Sequence, residues 1–190
     1  MPDPGFLFLS IPQMNQLLSY FVNVCLFRSG PQDAPASEAL LIATGFLVAL
    51  SYTLTNGMYP SLYDRIVIAV SQVLVFGAVV WVVLKIKNLE SRWVQTLTAL
   101  YGSAALFQFL SWPFIEMFDG TGGESADLPQ PLWLHVAVGA WYLAVMSNIL
   151  RHALETSLGR GVAAAIFCQL STVFGLVLIL SLFGVGDASV

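Results

Sequence analysis

Charge is what this chain has least of. Only 9% of its residues are Asp, Glu, Lys or Arg, against about a quarter in soluble domains. A water-soluble fold of this size needs a polar shell, which a composition that is 57% hydrophobic cannot supply. The seven basic residues form no patch able to track a phosphate backbone, so nucleic acid is excluded as a partner. Cysteine is almost as scarce. Cys25 and Cys168 stand far apart, no disulfide framework is expected, and Cys25 reads as a small apolar residue on a helix face rather than an acylation site. The first ten residues carry neither a basic stretch nor an A-x-A cleavage site, so no removed leader is expected.

Catalytic signatures are missing as well. There is no HExxH metal helix, no GxSxG nucleophile turn and no acidic cluster spaced to hold a magnesium ion. Gly159, Gly161 and Ala164 fit the letters of a dinucleotide-binding turn, but no strand precedes them. The glycine-rich acidic run at 119–127 lacks the alternating order of a calcium loop. No ionisable residue sits in the middle of an apolar run, where burying one would cost several kcal/mol and signal function. The expectation is a protein that is not an enzyme, with no catalytic, cofactor-binding or metal-binding residue and no cofactor.

Long apolar runs, by contrast, dominate. Five of them, at 39–57, 66–84, 93–115, 132–150 and 161–183, are each long enough to cross a hydrocarbon layer about 30 Å thick as a helix. Backbone amides in lipid must be bonded within the segment, and these lengths suit helices rather than the short alternating strands of a barrel. The fold class is therefore all-α: a polytopic membrane helix bundle with about five transmembrane helices. Ahead of it, 10–28 places Met14, Leu17, Leu18, Phe21, Val22 and Cys25 at helical spacing opposite Gln13, Gln16, Tyr20 and Asn23. That pattern predicts an amphipathic helix lying in the interface, with packing against the bundle as the alternative. Between the two, 29–37 is a proline-containing linker in which Asp33 or Ser37 can cap the next helix and Glu38 falls in its first turn. The domain plan is 1–37 as an amino-terminal segment, 38–184 as the membrane domain and 185–190 as a tail.

Orientation follows from the loops. Arg28, Lys85, Lys87, Arg92, Arg151 and Arg160 fall on one side of a five-span arrangement and only Arg65 on the other, which places the amino terminus in the cytoplasm and the carboxyl terminus outside. Trp81 and Trp93 fall near the inner boundary and Tyr59, Tyr63, Trp112 and Trp133 near the outer one. Glu116 and His135, both near the outer boundary, could share a proton or cation but read as ordinary boundary residues; His152 lies on the opposite side and cannot share a metal with His135. Within the spans, Gln72, Gln95, Gln108, Asn148, Gln169 and Thr172 either bond between helices or line a path. Small-residue pairs at Ala99 and Ser103, Ala140 and Ala144, and Gly161 and Ala165 mark faces where helices could approach closely.

The order of parts, and above all SRWVQTLTALYGSAALFQFLSWP at 91–113, resembles the Yip1 domain family in its prokaryotic form. There, a short basic loop and an aromatic residue lead into a glutamine-containing third span that ends near proline. The resemblance covers roughly 37–183. The DLYGP-type motif of eukaryotic members is absent, Leu62, Tyr63 and Asp64 having a different order, so their partnership with Rab GTPases is not carried over. The resemblance implies a non-enzymatic protein of the bacterial inner membrane, a scaffold or subunit of a larger assembly. Its partners would be the lipid bilayer, further copies of itself or other membrane proteins. A small transporter or channel subunit is the alternative.

Overall fold

A computed structural model describes residues 11–55, 61–119 and 130–183, and every regular element among them is helical. The α-helices are α1 Ile11–Cys25, α2 Glu38–Thr55, α3 Leu62–Ile86, α4 Trp93–Asp119, α5 Gln130–Ala153 and α6 Leu158–Phe183. Short 3-10 turns at Pro31–Asp33 and Glu90–Arg92 precede α2 and α4.

Local chemistry sets the helix ends. The Leu40 amide donates to the Ser37 hydroxyl at 3.3 Å, satisfying one of the amides that a helix start leaves free, and Glu38 occupies the first turn. Asp33 closes the preceding 3-10 turn instead, its carboxylate accepting from the Gly30 amide at 2.9 Å. Three helices share one ending. After α1, α3 and α5 the chain places a single residue in the left-handed region, Phe27 at φ 60°, Asn88 at 54° and Glu155 at 50°. The next amide then reaches the carbonyl five residues back: Arg28 to Asn23 at 2.8 Å, Leu89 to Leu84 at 2.9 Å and Thr156 to Arg151 at 3.0 Å. This Schellman closure satisfies the last carbonyls and stops the helix sharply.

Five helices close into a ring. Helix α2 packs on α3, α3 on α6, α6 on α5 and α5 on α4, which returns to α2; α1 lies outside the ring against α4 and α5. The core runs along α4, where every residue from 96 to 105 is buried, and continues into Val145, Met146, Ile149 and Leu150 of α5. Much of the outer surface is apolar, including Ile42, Phe46, Leu74, Leu170, Phe174 and Leu182. Apolar residues outside as well as inside fit a lipid surround, in which a helix gains nothing by hiding its leucines.

Among the described residues, four helices are long and apolar enough to span a membrane: α2, α3, α5 over Trp133–Ala153 and α6 over Leu158–Leu182. Helix α4, expected from the sequence as the third of five spans, is not among them. Its 27 residues would reach about 40 Å, but Thr96, Thr98, Ser103 and Ser111 are buried along it. A helix walled in by neighbours meets protein rather than lipid, so it is free to carry polar side chains that a lipid-facing helix is not.

One sequence expectation needs restating. Ala140 and Ala144 do not form a close-packed face: both are exposed, because α5 turns Val145, Met146 and Ile149 inward. Ala99, Ser103, Gly161 and Ala165 are buried, as close approach requires. Helix α1 packs on the bundle, burying Phe21, Val24 and Cys25. The Trp141 indole donates to the Cys25 carbonyl at 3.1 Å, and the Phe21 ring fills the space where Gly102 has no side chain. Its opposite face is also apolar, with Met14, Leu18, Val22 and Leu26 recurring every fourth residue and exposed.

Candidate functional site

The linker at 29–37 and the basic segments at 85–92 and 151–160 meet at one end of the bundle. The Arg92 guanidinium, from the 3-10 turn before α4, pairs with the Glu155 carboxylate, from the left-handed residue after α5. The linker before α2 joins them, since the Gln95 side-chain amide donates to the Ala34 carbonyl at 2.9 Å. Tyr20 fixes the near side of this linker by donating its hydroxyl to the Gly30 carbonyl at 3.1 Å. Burial, reinforced by the Asp33 carboxylate, holds that phenol well above its ordinary pKa and therefore in the donating form.

These contacts frame a recess of about 470 Å³, lined by Pro31 and Gln32 of the linker, Arg92, Gln95 and Thr96 of the α4 entry, and His152, Ala153 and Glu155 of the α5 exit. That volume is in the range of small-ligand pockets, though its lining is more polar than most. Beside it the Arg151 guanidinium lies 3.3 Å from the His152 Nε2. Thr96 is the odd member of the wall: its hydroxyl is buried and has no hydrogen-bond partner among the described residues. Threonines inside helices usually donate to the carbonyl four residues back, as Thr98 does to Val94 at 2.7 Å. For Thr96 that carbonyl belongs to Arg92, which still lies in the 3-10 turn.

A second, smaller space lies in the ring's centre. All five ring helices reach it: Tyr52 from α2, Gln72 from α3, Tyr101 from α4, Tyr142 from α5, and Gln169 and Thr172 from α6. It offers about 20 Å³ to the centre of a water molecule, enough for one water held by two to four polar groups. Tyr101 donates to the Val73 carbonyl at 2.6 Å; Gly77, whose missing side chain leaves room for the Tyr101 hydroxyl, permits that approach.

The polar residues singled out from the sequence thus divide. Gln95 ties α4 to the linker and Gln108 donates to the Thr55 hydroxyl of α2. Gln72, Gln169 and Thr172 face the central space. Asn148 is buried in α5. His135 is exposed and has no partner among the described residues, and the Glu116 side chain lies outside the described residues, as does Tyr59. Trp93 turns inward, donating to the Gly77 carbonyl at 3.2 Å, while Trp81 stacks under the Lys85 ammonium at 4.4 Å. Sequence reasoning passed over Thr96 and the three central tyrosines. The tyrosines carried a readable signal: Tyr52, Tyr101 and Tyr142 fall within apolar runs rather than at the boundaries where tyrosine usually collects. Thr96 carried none, because its isolation arises from the turn before it.

Burial pushes the Cys25 thiol up to about 11, so near neutral pH it stays protonated and unreactive. Among the described residues no three of His, Cys, Asp and Glu gather closely enough to hold a metal ion. Comparison with protein-family models, with curated proteins and with solved structures gives no match.

Proposed function

We propose that this chain is a non-catalytic membrane protein of Yip1-like type, acting as a scaffold or as a subunit of a larger membrane assembly. The observation that carries the reading is how space is distributed. Five helices close on each other around a void with room for one water, whereas the 470 Å³ recess opens among polar loops at one end. A transporter needs its room in the middle; a docking protein needs it at a surface. In this reading the ring's five helices all cross, with α4 sheltered by α2 and α5 beside it and by α1 outside, and the protein belongs to a bacterial inner membrane. The basic end, where Arg92, Arg151 and the linker meet, faces the cytoplasm, and the carboxyl terminus lies outside.

The test is extraction of the tagged full chain directly from its membrane into lipid nanodiscs, followed by mass measurement. A particle heavier than one 20.6 kDa chain plus lipid supports an assembly. A lone chain refutes it.

One observation favours the transporter or channel alternative. Gln72 and Gln169 turn towards the central void rather than bonding between helices, as side chains along a narrow water path would. Reconstitution into liposomes separates the two: solvent or solute flux that falls on Gln72→Leu would establish the path and displace the scaffold reading.

A further inference from the structure

A groove of about 200 Å³ runs between the end of α3 and the start of α6, on a different flank of the same basic end. Its walls are apolar, formed by Val83, Leu154 and Ala164, and its rim carries Lys87 and Arg160. Both cations are exposed, and neither has an ion-pair partner among the described residues. Of the acidic residues nearest in the chain, Glu155 is taken by Arg92, and Glu90 forms no ion pair among the described residues. The surface around the groove is apolar and exposed, with Ile86 at 73% and Leu158 at 54% accessible.

We infer that this groove binds an anionic phospholipid of the leaflet at the basic end. Two cations above an apolar wall match a molecule with a charged phosphate joined to hydrocarbon. A free anion would use the cations and leave the wall idle. A zwitterionic lipid would set its own ammonium against Lys87 and Arg160. The phosphate lies between the two cations, with the Thr156 hydroxyl on the same lining, and the acyl chains leave across Ile86 and Leu158 into the surrounding lipid. Basic pockets between helices on a membrane's cytoplasmic side recognise anionic head groups by this combination.

Native mass spectrometry of the detergent-purified full chain tests the site, using dioleoyl-phosphatidylglycerol as the probe and dioleoyl-phosphatidylcholine as its neutral counterpart. One phosphatidylglycerol should bind at least tenfold more tightly than phosphatidylcholine. The Lys87→Gln, Arg160→Gln double variant should weaken phosphatidylglycerol on the order of twentyfold, since each basic residue near an anionic surface contributes a factor of about five. Ala164→Phe keeps both charges and fills the wall, and should also release the lipid. Arg28→Gln, which removes a basic residue away from the groove, should change nothing. Equal affinity for the two lipids, an unaltered double variant, or an equal loss from Arg28→Gln would overturn the inference, the last by showing diffuse attraction in place of a site. Full displacement of the lipid by millimolar inorganic phosphate would overturn it too, by making the ligand a free anion. Should Ala164→Phe fail to fold, as its melting curve would show, the double variant decides alone, because both of its positions are exposed.

Discussion

Two glycines in the first turns of α6 offer a test in which chemistry is constant and only the neighbour changes. A methyl group added at Gly161 would lie 2.6 Å from the Ser147 carbonyl oxygen and 2.8 Å from the Arg151 Cβ, whereas at Gly159 it would meet nothing within 4 Å. A carbon rests against a carbonyl oxygen at about 3.3 Å or more, so α5 and α6 must part by roughly 0.7 Å to admit alanine at 161. The obstacle is backbone, which cannot rotate away. Overpacking of this kind costs about 1 to 3 kcal/mol, while the gain in helix propensity from glycine to alanine, at most about 1 kcal/mol, applies to both variants and cancels between them. At about 2 to 4 °C per kcal/mol for a chain of this size, Gly161→Ala should melt about 2 to 12 °C below Gly159→Ala. Thermal unfolding of the two purified proteins, followed by circular dichroism in one detergent, reads the difference. If they melt together, or in the reverse order, the α5–α6 contact is not as close as described.

Ala140→Leu should leave the melting temperature within about 1 °C of the parent, since Ala140 faces outward and added bulk there meets no neighbouring helix; a large drop would place α5 in the wrong rotation. Gly102→Ala should drive Phe21 off α4 and loosen α1. At pH 8 the parent Cys25 should react slowly with maleimide, because burial raises its pKa and thiolate forms only as pH climbs towards 11; the variant should react at least tenfold faster, and equal rates would refute the packing of α1. The Arg92 and Glu155 side chains are 41% and 63% exposed, so a double-mutant cycle with alanine at both should give a coupling under about 1 kcal/mol that fades with salt. Gln108→Leu should lose on the order of 0.6 kcal/mol, the average for a hydrogen bond between membrane helices, and a loss above about 2 would mean Gln108 has a larger role than holding Thr55.

Much of the architecture was legible because apolar length is a one-dimensional signal. Each of the five apolar runs lies within, or within two residues of, one helix, and Ser37 caps α2 as its position before Glu38 indicated. Facing was less legible. Ala140 and Ala144 have the same spacing as Ala99 and Ser103, yet only the second pair is buried. In lipid an alanine turned outward costs nothing, so spacing alone does not report the direction of a helix. Packing of α1 on the bundle was one of two readings its pattern allowed, because apolar residues on two faces read as one stripe until its neighbours are known. Neither recess at the basic end was visible, since each is built from segments distant in the chain, and the solitary hydroxyl of Thr96 depends on a turn that no local pattern announces.

The ring also has a consequence for how the protein is made. Its closing contacts are those of α6, which packs on α3 and α5 at once and emerges from the ribosome after all the other described helices. Until it arrives, the flank of α3 that carries Val75 and the flank of α5 that carries Ser147, both neighbours of α6 glycines, have no protein cover. The preceding helices therefore wait in the membrane as an open arc, and the bundle acquires its final packing in a single late event. A ribosome stalled before α6 would leave a species with two unmatched edges, open to mispairing with another arc or to removal by membrane quality control.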